Sequence, residues 1–164
     1  MSRRPLDPRK VNVLIDNNAL DPSGGYQAEV DRLLGLKAAG KVVLIAPGGV
    51  REEALHPNTP PVVRESVADQ VFSLPVGLNQ AEQQLLATIR SILQGNAAPG
   101  LHDADARHVF EAAKYGGGYF ITHDRRINKT KRQELEKILP PSLWIVTAAE
   151  FLTIYDHYEQ EYPA

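Results

Sequence analysis

Residues Val42-Val43-Leu44-Ile45-Ala46 are apolar without a break. A strand with no polar side must be covered on both faces, and that condition is met in parallel sheets flanked by helices. The rest of the chain repeats the theme. Val11-Asn12-Val13-Leu14-Ile15 is a second β-branched run, Tyr119-Phe120-Ile121-Thr122 a third, and Leu143-Trp144-Ile145-Val146 the last. Val71-Phe72-Ser73-Leu74 reads as a less regular strand. Between them lie helical stretches. One runs from about Tyr26 to Ala39, with Val30, Leu33, Leu34, Lys37 and Ala38 on one stripe and Gly40 as the stop. Short helices are expected over Gly48 to Leu55 and Val62 to Gln70, separated by the loop His56-Pro57-Asn58-Thr59-Pro60-Pro61.

Three capping boxes are written into the chain: Asn79-Gln80-Ala81-Glu82, Thr130-Lys131-Arg132-Gln133 and Thr147-Ala148-Ala149-Glu150. The first opens a helix through Leu85, Leu86, Ile89, Ile92 and Leu93, ended by Gly95-Asn96. Another helix spans about Asp103 to Tyr115 and ends at Gly116-Gly117-Gly118. Pro140-Pro141 stops the helix after Thr130, and the last helix carries Phe151, Leu152, Ile154 and Tyr155. Strands alternating with helices imply βαβ units, a parallel sheet and right-handed crossovers.

The chain has 164 residues, which suits one domain over 1–164, with 1–10 as flexible lead-in and 157–164 as tail. Cysteine is absent, which excludes disulfide scaffolds, thiolate zinc sites, iron–sulfur clusters and cysteine nucleophiles. Hydrophobic residues at 43% exclude a disordered chain, and a net charge of −2 gives no overall basic field. No apolar run exceeds about five residues, far from the ~20 that span a bilayer, and no targeting segment is present. The expectation is a soluble, cytoplasmic protein without a membrane partner.

In an open parallel sheet, ligands sit beyond the carboxyl ends of the strands. Acids gather there. Asp16 follows the first strand directly, and Asp124 follows the Tyr119–Thr122 strand by two residues. Glu52 and Glu53 come just after Val42–Ala46, and Asp103 and Asp105 open the helix that leads to the Asp124 strand. Each has a plain structural reading: Asp103 as an N-cap, Asp105 in a first turn, Asp124 in an Asx-turn, the glutamates on a solvated helix face. Asp16, which closes an apolar run, has no such reading. Together they form a carboxylate cluster, whose mutual repulsion a hard divalent cation such as Mg²⁺ or Mn²⁺ relieves. Clusters of this kind run phosphodiester hydrolysis.

Four segments resemble, in order, the motifs of the PIN-domain nuclease family. They are Asp16-Asn17-Asn18-Ala19-Leu20, Pro47-Gly48-Gly49-Val50-Arg51-Glu52-Glu53, Asp105-Ala106-Arg107-His108-Val109 and Phe120-Ile121-Thr122-His123-Asp124. The likeness covers roughly Val11 to Ile154. It implies a PIN-like three-layer α/β/α sandwich with a mainly parallel central sheet. It also implies Mg²⁺- or Mn²⁺-dependent endoribonuclease activity giving 5′-phosphate and 3′-hydroxyl ends, and many small bacterial members are toxins of toxin–antitoxin pairs. Carried over, Asp16, Glu53, Asp105 and Asp124 are the catalytic metal ligands, with Asp103 as an additional ligand or a helix cap. Glu52 is the alternative to Glu53, and Asn18 and Thr122 orient the acids. RNA is the implied substrate; a protein antitoxin and a second copy of the chain are the open partner classes.

Arg125, Arg126, Lys129, Lys131 and Arg132 follow Asp124 closely, and Arg125, Arg126 and Lys129 are the candidate phosphate contacts. Of the five histidines, His108 lies one turn after Asp105 and His123 flanks Asp124; neither is assigned a catalytic role. The alternatives are a catalytically weak RNA-binding or scaffold module on a PIN-like fold, and a DNA- or structure-specific nuclease. A phospho-acceptor receiver domain is disfavoured, because Thr147 stands after the last strand where that fold needs Lys.

Overall fold

The computed structural model describes residues 5–16, 19, 25–47, 72–74, 79–98, 100, 102–115 and 118–163. Its strands are β1 (Asn12–Ile15), β2 (Val43–Pro47), β3 (Phe72–Leu74), β4 (Tyr119–Ile121) and β5 (Trp144–Val146). Its α-helices are α1 (Gln27–Ala38), α2 (Gln80–Gln94), α3 (Asp103–Tyr115), α4 (Arg132–Ile138) and α5 (Ala148–Glu161). The helices expected over 48–55 and 62–70, and the loop at 56–61, lie outside the described residues.

The strands form one sheet in the order β3-β2-β1-β4-β5, and every pair is parallel. Alternation along each strand decides which face a side chain serves. Val13, Ile15, Leu44, Tyr119, Ile121 and Val146 pack with Leu33 of α1 and Phe151, Leu152 and Tyr155 of α5. Leu14, Ile45, Phe120 and Ile145 face the other way, onto Ile89 and Leu93 of α2, Val109 and Phe110 of α3, and Leu135 of α4. Helices therefore cover both faces, and the arrangement fits a three-layer α/β/α sandwich. The chain's apolar strand at 42–46 needed this double cover.

Two capping boxes form as expected. Asn79 Oδ1 accepts from Glu82 N at 2.8 Å, and Glu82 Oε1 accepts from Asn79 N at 3.2 Å. Thr147 Oγ1 accepts from Glu150 N at 3.1 Å, and Glu150 Oε1 accepts from Thr147 N at 3.0 Å. The third does not form. Lys131 precedes α4 without any side-chain cap, and Thr130 ends a single π-helical turn, Arg126–Thr130. The reason is upstream: Asp124 Oδ1 accepts from Arg126 N at 2.9 Å, so the chain is already helical before Thr130 is reached.

Pro5, Leu6 and Tyr158, within segments expected as lead-in and tail, make contacts with distant parts of the chain. Tyr119 OH donates to Leu6 O, Tyr158 OH donates to Pro5 O, and α5 continues to Glu161. No helix among the described residues is long and apolar enough to cross a membrane.

Gly118 sits where β4 begins, under the start of β1. A Cβ there would lie 2.6 Å from the Asn12 carbonyl oxygen and would also overlap the Val11 side chain. Backbone cannot swing aside as a side-chain tip can. Gly118→Ala is expected to destabilise the fold by about 1–3 kcal/mol, read as a lower urea midpoint at unchanged slope. An unchanged midpoint would show that this contact is not tight.

Candidate active site

Strand β1 holds the centre of the sheet. The chain leaves it for β2 on one side and later returns to β4 on the other. The reversal falls between β1 and β4, and in such sheets ligands usually sit beyond the carboxyl ends of the strands at that point. Asp16 and Asp124 follow the carboxyl ends of β1 and β4.

Asp16 continues the β1–β4 ladder, its N–H donating to Ile121 O at 2.9 Å. The residue is 2% exposed. Thr122 Oγ1 donates to Asp16 Oδ2 at 3.1 Å and accepts from Asp124 N at 3.1 Å. One hydroxyl thus ties the Asp16 side chain to the Asp124 backbone. On the other oxygen, buried His108 places Nδ1 3.3 Å from Asp16 Oδ1. Buried Asn128 donates from Nδ2 to Thr122 O at 2.9 Å, fixing the segment between β4 and the π-helical turn.

Asp105 arrives from the first turn of α3. Its carboxyl is pushed up to about 6, first by burial and next by the negative charge of Asp124, with Asp16 adding to the push. His102, whose Nδ1 is 3.4 Å from Asp105 Oδ2, and His108 oppose the rise. Three acids from three separate elements therefore share one neighbourhood, and their repulsion falls on Asp105. Among the described residues, no three His, Asp or Glu side chains close to metal-ligating geometry as they stand. The donor chemistry nonetheless fits a hard cation, because all three are carboxylates and a positive charge would lift the penalty on Asp105. Glu52, Glu53 and Asn18 lie outside the described residues.

The remaining candidates divide. Asp103 turns to α2, its Oδ1 3.1 Å from Arg90 Nε at a half-exposed position. Arg126 donates to Leu93 O and, at 2.8 Å, to Gln94 O, so its guanidinium closes the carboxyl end of α2. Lys131 lies near Glu134, and Arg132 is 3.1 Å from Glu136 and 3.5 Å from Glu150. Arg125 and Lys129 are exposed, with no ion pair among the described residues. Sequence reasoning noted His108 by its spacing from Asp105 but left it unassigned, and it missed Asn128. An uncharged amide inside a basic run was the signal available for Asn128.

Comparison with protein-family models finds no match, and comparison with curated proteins finds none either.

Proposed function

We propose that the chain is a PIN-like, metal-dependent endoribonuclease whose site is the carboxyl edge of β1 and β4. The observation that supports this most is the convergence of Asp16, Asp105 and Asp124 at the point where strand order reverses, with Asp105 raised to about 6 first by burial and next by the charge of Asp124, Asp16 adding to it. A structural acid is normally placed to avoid such company; a cation site requires it.

Asp16, Asp105 and Asp124 would hold Mg²⁺ or Mn²⁺, with Glu53 as the expected fourth acid. Bound there, the cation would supply positive charge to the phosphate oxygens and lower the pKa of an attacking water. The chain's own residues do the positioning. Thr122 hydrogen-bonds one oxygen of Asp16 and His108 lies 3.3 Å from the other, which limits how that carboxylate can turn. Asp124 is fixed by the Thr122 hydroxyl at its own N–H and by the π-helical turn at Oδ1. Arg125 and Lys129, exposed and within five residues of Asp124, would meet the phosphates of a bound strand.

The test is cleavage of end-labelled single-stranded RNA and DNA by the full chain in Mn²⁺ and in EDTA. RNA cut in Mn²⁺ and intact in EDTA is the expected result. DNA cut in preference to RNA would turn the reading to a DNA nuclease. Neither strand cut by folded protein would remove the nuclease reading.

A further inference from the structure

The geometry points to a second element of this edge: the exposed ring of Tyr26, backed by His123, is a stacking platform for an unpaired base of single-stranded nucleic acid. The inference deepens the nuclease reading and rests on it for the role of the bound strand.

Tyr26 precedes α1, so it stands at the same carboxyl edge as Asp16. Its ring lies 3.9 Å, centroid to centroid, from the His123 imidazole at a 30° tilt. The imidazole is itself held, since its Nε2 accepts from Ala148 N at 3.3 Å, at the start of α5. One face of Tyr26 is therefore covered by a fixed ring. The residue remains 38% exposed, one of three large hydrophobic residues that are exposed among those described. Tyr26 makes no side-chain cap for α1, so the helix gives no reason for an aromatic there. A rigid, partly exposed ring with few rotatable bonds is what an unstacked base binds at low entropic cost.

The placement relative to the acids follows from strand alternation. The Thr122 hydroxyl points to Asp16, and the next side chain, His123, points to Tyr26 and α5. Acids and stack therefore stand on opposite faces of the same edge, joined through consecutive residues Thr122 and His123. A single strand draped over this edge sets a base on Tyr26 while its phosphates pass Asp16, Asp124 and exposed Arg125. A duplex has no free base face to offer, so the platform selects single-stranded segments.

The test uses a single-stranded RNA hexanucleotide carrying 2-aminopurine, whose fluorescence falls on stacking, titrated with the full chain without added metal. Wild type and Tyr26→Phe should bind with quenching. Tyr26→Ala and Tyr26→Leu should bind roughly 5- to 150-fold more weakly and lose the quench, while keeping the wild-type melting temperature within a few degrees. Tyr26→Leu separates ring stacking from mere apolar area. The same sequence as a duplex should bind more weakly and show no further quenching. Equal binding and quenching by Tyr26→Leu, equal binding of the duplex, or no binding of the single strand would each overturn the platform. Adding Mn²⁺ separates the two ideas. A strand that is bound and quenched but never cut sinks the nuclease reading and leaves the platform. A strand cut by Tyr26→Ala at the wild-type KM sinks the platform alone.

Discussion

Asp16→Asn is expected to lower Mn²⁺-dependent RNA cleavage by on the order of 100- to 1,000-fold while leaving the fold in place. The substitution keeps the volume and one acceptor oxygen, so the Thr122 hydroxyl, which donates to Oδ2 at 3.1 Å, retains a partner. What disappears is a negative charge at a position that is 2% exposed. Coulombic attraction for a cation is strongest where water is excluded, so the loss falls on cation affinity more than on packing. Single-turnover cleavage and circular dichroism measured together decide the matter. Cleavage retained within about threefold would take Asp16 out of the site. Cleavage lost along with the circular dichroism signal would make Asp16 a structural residue, and the weaker lesion Thr122→Val would then show whether orientation of Asp16 alone matters.

The second large effect is on stability and its pH dependence. Folding raises the Asp105 carboxyl from its ordinary 3.8 to about 6. Between those two values the folded chain binds more protons than the unfolded one, so this group's contribution makes stability fall as pH rises. Above about 6 the full penalty of a charged, repelled carboxylate is in place; below 3.8 it vanishes. Asp105→Asn removes it. At pH 7.5 without metal the variant should be more stable than wild type by about 1–2 kcal/mol, a Tm higher by roughly 3–6 °C. At pH 3.5 the two should melt together. Millimolar Mn²⁺ should raise the wild-type Tm at pH 7.5 and move the variant little, because binding favours the ionised acid. A variant less stable than wild type at pH 7.5, or one with the same Mn²⁺ response, would show that Asp105 is not the strained member of a cation site.

Much of this was legible in the residue order because the signals were local. The unbroken apolar run at 42–46 required cover on two faces, and it is supplied at Val42, Leu44 and Ile45, while Val43 stays exposed. Asp16 stood out because a charge that closes an apolar strand has no cheap explanation. What escaped reading depends on contacts that no local pattern encodes. Arg126 reads as a phosphate contact among its basic neighbours, yet its partners are two carbonyls of α2 more than thirty residues earlier. The Thr130–Gln133 pattern is a proper capping box by spacing, but Asp124 starts the helical path first and leaves no free helix end to cap. Residues 157–161 look like tail until Tyr158 is seen bonded to Pro5 across 153 positions. The Tyr26–His123 stack joins positions almost a hundred residues apart; Tyr26 belongs to no motif, and His123 is the unassigned position between Thr122 and Asp124.

The central position of β1 governs when the site exists during synthesis. The first strand made has one of its two neighbours, β4, more than a hundred residues later, and the Thr122 bond to Asp16 spans 106 positions. Chain emerging from a ribosome through β3 carries Asp16 but not Asp105, Thr122 or Asp124. Such long-range closure is slow and comes late in folding. On the proposed reading, this edge cannot be assembled on the nascent chain, and any activity it carries would wait until most of the protein has left the exit tunnel.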